Sequence, residues 1–260
     1  MLAATMLVAF GVYCLVRPTV RNVKHNQLFG PFVAGFLVWV LGPIERVLVK
    51  YVSPNAITLG SLVLCGVTGI AAAEGYLADA VWLYAFAGIL DVLDGRVARL
   101  AGKQTATGAL LDSVSDRWGE LFVFAGFAWY LHDSPWLLGV IGAIGASMMV
   151  SYTRARAEGL GLELSGGLMQ RAERIVLVAA GCFGAAWYEC GDPESSMIVP
   201  VLGGTMVLCA VLSSGTALSR WVAAYRMLAA REAAPATAPA RAPQVAERPA
   251  RAALAQRAAH

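Results

Sequence analysis

The sequence predicts an all-α, polytopic membrane protein, with six core transmembrane helices preceded by a helix lying in the membrane interface. Three observations carry this prediction. Of 260 residues, 58% are hydrophobic and 14% charged, and the mean hydropathy is +0.63. A soluble domain, by contrast, is about half apolar and about a quarter charged. Six stretches approach the roughly 20 apolar residues that a spanning helix needs. Lys and Arg also gather at only one end of each stretch, as they do at the cytoplasmic ends of membrane helices.

Met1 to Val16 is an apolar run ending at Arg17, Arg21 and Lys24, and reads as a further membrane helix or an anchor. A cleaved leader fits less well, because no basic residue precedes the run and no small-residue cleavage site is evident. Phe32 to Val52 mixes apolar residues with Glu45, Arg46 and Lys50, which suits an interfacial helix. Residues 1–54 thus form an N-terminal segment, and Ser53-Pro54-Asn55 punctuates its end.

A core domain over 55–226 follows, with helices expected at 56–76, 80–100, 107–131, 136–153, 174–190 and 197–219. Turns near 77–79, 131–135 and 190–196 hold Asp79, His132, Asp133, Asp192 and Glu194 but no Lys or Arg. The opposite ends hold Arg96, Arg99, Lys103, Arg154, Arg156, Arg171, Arg174, Arg220 and Arg226, and so are expected in the cytoplasm. Residues 227–260 are rich in Ala, Pro and Arg and read as a disordered cytoplasmic tail.

The same numbers exclude other classes. A net charge of +3 is too small to argue for nucleic acid. Five cysteines (Cys14, Cys65, Cys182, Cys190 and Cys209) are an odd number without metal-ligand spacing, four of them in apolar runs. They read as small buried hydrophobes.

Against this background Asp91, Asp94, Asp112 and Asp116 stand out. An ionisable group near the bilayer centre costs about 2.5–3.5 kcal/mol on insertion scales, so four facing lipid would cost on the order of 10 kcal/mol. They are therefore expected around a polar cavity. Asp91 and Asp94 are three apart, Asp112 and Asp116 four apart, so each pair shares a helix face. The short loop "AGKQTATG" makes the two helices antiparallel neighbours, letting the pairs converge. Carboxylate oxygens without nearby His or Cys suit hard cations, Mg²⁺ or Mn²⁺. Two such ions side by side are the arrangement used for displacement at phosphorus. Gly95 and Ala98 leave room for a ligand, and Arg99 and Lys103 can neutralise phosphate. The bland reading of Gly95, Ala98 and Gly108 is close helix packing.

The run Asp91-x2-Asp94-Gly95-x2-Ala98-Arg99-x8-Gly108-x3-Asp112-x3-Asp116 resembles the signature of the CDP-alcohol phosphotransferases, with every fixed position filled. That resemblance implies transfer of a phosphatidyl or other phospho-alcohol group from a CDP-linked donor to an acceptor hydroxyl, releasing CMP. It implies that Asp91, Asp94 and Asp112 hold two metal ions, with Asp116 contributing to the metals and serving as general base. It also implies that Gly95, Ala98, Arg99 and Gly108 surround the cytidine diphosphate. The segment Pro54-Asn55-Ala56-Ile57-Thr58 is similar to the one that borders the nucleotide, and Thr105 occupies a donor-contacting position. Homodimers in a lipid bilayer are the family's common assembly.

Arg154, Arg156, Arg171 and Arg174 lie on the same predicted side as the aspartates, and a guanidinium cluster there suits an anionic acceptor such as a sugar phosphate. Arg156 reads equally well as positive-inside anchoring. Ser151, Arg154, Arg171 and Arg174 resemble the inositol phosphate pocket of the phosphatidylinositol phosphate synthase branch. Arg154 stands where that branch commonly has Lys, and Gln170 and Ala172 replace its Glu and Pro. CDP-diacylglycerol and inositol phosphate are thus the expected substrates. Glycerol 3-phosphate, giving phosphatidylglycerophosphate, is the alternative acceptor. A divalent-cation transporter is the alternative from another class, but it leaves Arg99 and the acceptor-side arginines unexplained.

Overall fold

The computed structural model describes residues 30–164, 166–192 and 194–233. The Met1–Val16 anchor and the tail beyond Ala233 lie outside the described residues. Among those described there are seven α-helices and no strand: α1 (Gly30–Tyr51), α2 (Pro54–Ala73), α3 (Leu77–Leu100), α4 (Ala106–Tyr130), α5 (Leu137–Gly159), α6 (Arg171–Gly191) and α7 (Ile198–Ala233).

The helix starts follow from capping chemistry. Ser53, in extended conformation, accepts the Ala56 N–H at 3.3 Å, and Pro54 takes the first helical position of α2. Thr105 does the same for α4, accepting the Gly108 N–H at 3.0 Å. Gly102 (φ 62°) follows the C-cap of α3, and the Lys103 N–H reaches back to the Ala98 carbonyl at 3.0 Å.

Several boundaries differ from expectation, each with a local cause. The α2–α3 reversal falls on Glu74-Gly75-Tyr76 because Gly75 supplies the positive φ of 85°, so α3 begins at Leu77. Asp79 then lies in the first turn of α3, where a carboxylate complements the helix dipole. Helix α5 runs six residues past 153, helped by the Arg154–Glu158 pair at 2.8 Å. Helix α6 starts at Arg171, which makes Arg171 and Arg174 neighbours on one turn. Helix α7 reaches Ala233, so residues 227–233, grouped with the tail on composition, are helical. Ala, Leu, Met, Arg and Glu are strong helix formers and carry the helix on.

Helix α2 packs against α3 and α4, α3 also against α6 and α1, and α4 against α5. The core holds Leu77, Tyr84, Phe124, Phe127, Leu131, Val178 and Met206. Gly69 and Gly126 bring the α2 and α4 backbones into direct contact: a Cβ on Gly126 would meet the Gly69 carbonyl, and one on Gly69 the Phe122 carbonyl. Small residues at such crossings are how helices pack when lipid removes the hydrophobic drive between them. Outward, large apolar side chains stand free, among them Ile70 at 66%, Trp129 at 66% and Trp187 at 71% exposed. An aqueous protein rarely shows so broad an apolar surface. Helices α2, α5 and α7 are long and apolar enough to cross a membrane. Helices α3, α4 and α6 have 24, 25 and 21 residues and carry the charged site. The chain forms two units, Met1–Ala224 and Tyr225–His260.

Candidate active site

The α3–α4 hairpin brings the four aspartates to one end of the helices, as their spacing requires. One carboxylate oxygen each from Asp91, Asp112 and Asp116 falls within 4.8 Å of the others. Asp94 stands apart from this trio. It is 4% exposed, and its Oδ2 accepts from the Thr58 hydroxyl at 2.6 Å, tying α3 to the first turns of α2.

Two cavities meet at Asp112 and Ala109. The smaller, about 170 Å³, is walled by Asn55, Thr58, Asp94, Gly95, Ala98, Arg99, Lys103, Thr105 and Gly108. Nearly every residue expected to face the donor is thus assembled in one place. Ala56 and Ile57 are the exceptions. The Ala56 N–H is used by the Ser53 cap, and Ile57 is buried with Leu41, Leu93 and Val97. A Cβ on Gly108 would crowd Thr105 Oγ1 at 3.0 Å and Asn55 Oδ1 at 3.3 Å. Gly95 lies under the Arg99 guanidinium, which would be 3.4 Å from an added Cβ.

The larger cavity, about 430 Å³, contains Asp91, Asp112 and Asp116 together with Ser151, Arg154, Arg171 and Arg174. All four residues expected at the acceptor therefore border it. Their states differ. Arg154 is half exposed and paired with Glu158. Arg171 pairs with Asp91 and, at 3.0 Å, with Asp116. Its Nη1, buried between them, faces both carboxylates. Arg174 is 2% exposed and donates to both Glu120 oxygens, at 2.5 and 2.9 Å, and to the Met169 carbonyl at 3.1 Å.

Three residues of this wall escaped the sequence reading. Glu120 extends the Asp112–Asp116 spacing by four more residues, so its face was readable, but its partner Arg174 was not. Arg117 approaches Asp116 at 3.9 Å and is held by the Ser113 hydroxyl at 2.9 Å. Arg220, 8% exposed, crosses from α7 to the carbonyls of Gly166 (2.8 Å) and Val150 (3.0 Å). In sequence it was one more basic residue at a helix end.

The donor set fits a hard divalent cation: three convergent carboxylates, all oxygen, with neither His nor Cys among the walls of either cavity. Half-buried like charges need a counter-charge, and here Arg171 provides one.

Residues 51–214 match the model of the CDP-alcohol phosphatidyltransferases. This chain belongs to the CDP-alcohol phosphatidyltransferase family. Among its relatives in that family is the phosphatidylinositol phosphate synthase of Streptomyces avermitilis, 34% identical over 84% of this chain and 90% of that one. The archaetidylinositol phosphate synthase of Methanothermobacter thermautotrophicus is 38% identical over 63% of this chain and 80% of its own. A crystal structure of the Mycobacterium tuberculosis phosphatidylinositol phosphate synthase with CDP-DAG bound superposes with a TM-score of 0.61 at 28% identity, over 72% of this chain and 94% of that one. The same protein in complex with manganese and citrate gives 0.61 at 29% identity, over 70% of this chain and 88% of that one.

Proposed function

We propose that the protein transfers the phosphatidyl group of CDP-diacylglycerol to a hydroxyl of inositol phosphate, giving phosphatidylinositol phosphate and CMP. The observation that carries this reading is the junction of the two cavities. Donor-type residues wall one, arginines and Ser151 wall the other together with the carboxylate trio, and Asp112 of that trio borders both. The relatives support the acceptor, since both names end in inositol phosphate synthase while the lipid named differs.

In this reading Asn55, Thr58, Gly95, Ala98, Arg99, Thr105 and Gly108 seat the cytidine diphosphate in the smaller cavity. Arg99 and Lys103 offset its negative charge. Ser151, Arg154 and Arg171 receive the acceptor phosphate in the larger one, and Arg174 holds Arg171's helix turn in place through Glu120. Two Mg²⁺ or Mn²⁺ ions, when bound at Asp91, Asp94, Asp112 and Asp116, supply charge neutralisation for the diphosphate and the departing CMP. Asp116 takes the proton of the acceptor hydroxyl, whose oxygen bonds to the phosphatidyl phosphorus as the bond from phosphorus to the CMP oxygen breaks. Helices α2–α7 form the membrane core, residues 55–226 the catalytic domain, and α1 an interfacial helix. The site opens to the cytoplasm, and the assembly is a homodimer.

The test supplies purified protein with CDP-diacylglycerol, Mn²⁺ and one acceptor at a time: inositol phosphate, inositol, glycerol 3-phosphate or serine. CMP release with inositol phosphate alone is expected. Release only with glycerol 3-phosphate moves the enzyme to another acceptor, and release with none refutes the reading.

A further inference from the structure

Glu45 and Arg96 form a largely buried ion pair that the proposed chemistry does not use. Glu45, in α1, is 3% exposed. Both of its oxygens are taken in a fork by Arg96 of α3, through Nε to Oε1 and through Nη2 to Oε2 at 3.0 Å. Arg96 sits inside the signature run, between Gly95 and Ala98, yet it is absent from the walls of both cavities. Two residues beyond Asp94 on a helix is about 200° of rotation. The same turn of α3 therefore presents Asp94, Gly95 and Ala98 to the small cavity and Arg96 to α1.

Around the pair, Leu41 is buried with Ile57, Leu93 and Val97, and Leu48, Val49 and Val52 pack alongside. Only Val52 and Ser53 separate α1 from α2, and both are tied down. The Val52 N–H donates to the Leu48 carbonyl at 2.9 Å, and Ser53 caps α2. The first turns of α2 then deliver Pro54, Asn55 and Thr58 to the cavity wall. Two side-chain ties and one short link close a triangle: Glu45–Arg96 between α1 and α3, the Val52-Ser53 connection between α1 and α2, and Thr58–Asp94 between α2 and α3. The carboxylate trio and the larger cavity draw on α3, α4, α5, α6 and α7 and take nothing from α1.

We propose that Glu45 is a positioning residue for the nucleotide-donor cavity, setting through Arg96 the distance between the α2 and α3 walls. A forked guanidinium–carboxylate pair fixes both register and rotation, which apolar packing along a helix does not. Buried ion pairs add little net stability but penalise every arrangement that separates them. The segment carrying Glu45 precedes the family match, which begins at residue 51. Donor geometry is thus governed from outside the matched domain. The identity of the ligand rests on the function proposed above; the mechanical coupling does not.

Two variants of the full-length protein test it: Glu45→Gln, which keeps the shape and removes the charge, and the exchanged pair Glu45→Arg with Arg96→Glu. In steady-state assays Glu45→Gln is expected to raise KM for CDP-diacylglycerol about fivefold to tenfold, with kcat and the acceptor KM within about twofold, and the exchanged pair to recover most of the loss. In parallel, spin labels on the exposed Leu59 (α2) and Leu100 (α3), in a background with Cys14 and Cys190 changed to Ser, report the wall-to-wall distance without turnover. Glu45→Gln is expected to broaden that distribution, and the exchange to narrow it again. An unchanged distribution overturns the proposal, whether or not the protein is active. Equal increases in donor and acceptor KM, or a lowered melting temperature with both KM values unchanged, overturn it as well. An inactive wild type with a broadened Glu45→Gln distribution removes the CDP-donor reading and leaves the coupling standing.

Discussion

Arg174 is sealed in the protein, with its guanidinium shared between Glu120 and the Met169 carbonyl, whereas Arg171 one turn earlier faces the carboxylates of the cavity. Removing the Arg174 side chain leaves Glu120 buried and unpaired, a loss of about 3–5 kcal/mol. Arg174→Ala is therefore expected to lower the melting temperature sharply and to reduce all activity through loss of folded protein. Arg171→Ala, by contrast, with Mn²⁺ present to replace the lost counter-charge at Asp91 and Asp116, is expected to melt within a few degrees of wild type while CMP release with a phosphorylated acceptor falls by about 10²-fold or more. Thermal unfolding in detergent beside the acceptor panel separates the two. Asp116→Asn removes the proton acceptor while keeping the side-chain shape. Loss of turnover with Mn²⁺ still bound, read by calorimetry, is the expected outcome, and near-normal turnover would unseat Asp116 as the base. The three- and four-residue spacings made the aspartate faces legible from sequence. The Glu120–Arg174 pair was not, because its members lie 54 residues apart and only folding brings them together.

The α2–α4 crossing depends on two glycines whose backbones touch. Gly126→Ala would press a methyl group into the Gly69 carbonyl, and backbone cannot give way as a flexible side chain can. Overpacking of this kind costs about 1–3 kcal/mol or more, so a lower melting temperature and impaired assembly of both cavities are expected. Gly145→Ala is the control, because nothing lies within 4 Å of the added carbon and stability should hold or rise slightly. Composition marked these stretches as helical and apolar, but it could not single out Gly69 and Gly126 from the chain's 27 glycines. Their role is set by the crossing, which is a property of two helices together. The hairpin between α3 and α4 was legible for the opposite reason, since a short loop leaves its helices no choice but adjacency.

For the molecule as a whole, the orientation proposed above places Cys190, at the end of α6, on the face away from the site. It is exposed, whereas Cys65, Cys182 and Cys209 are buried. In a Cys14→Ser background, a membrane-impermeant maleimide should label right-side-out vesicles and spare inverted ones. The reverse pattern would turn the site outward. Stripping divalent ions with a chelator is expected to abolish CMP release, and Mg²⁺ or Mn²⁺ should restore it, since the carboxylate trio has an all-oxygen donor set.

Composition, charge asymmetry and the signature spacing were enough to determine an all-helical membrane enzyme of this family. Those features are local, or repeat with the helix period, and can be read along one chain. The division of the site residues into two cavities joined at Asp112, the burial of Arg174 against Glu120, and the grip of Glu45 on Arg96 came only with the packed helices. The pairs Thr58–Asp94, Glu45–Arg96 and Glu120–Arg174 join residues 36, 51 and 54 apart, and their meeting depends on crossing angles and backbone approach that no single segment encodes.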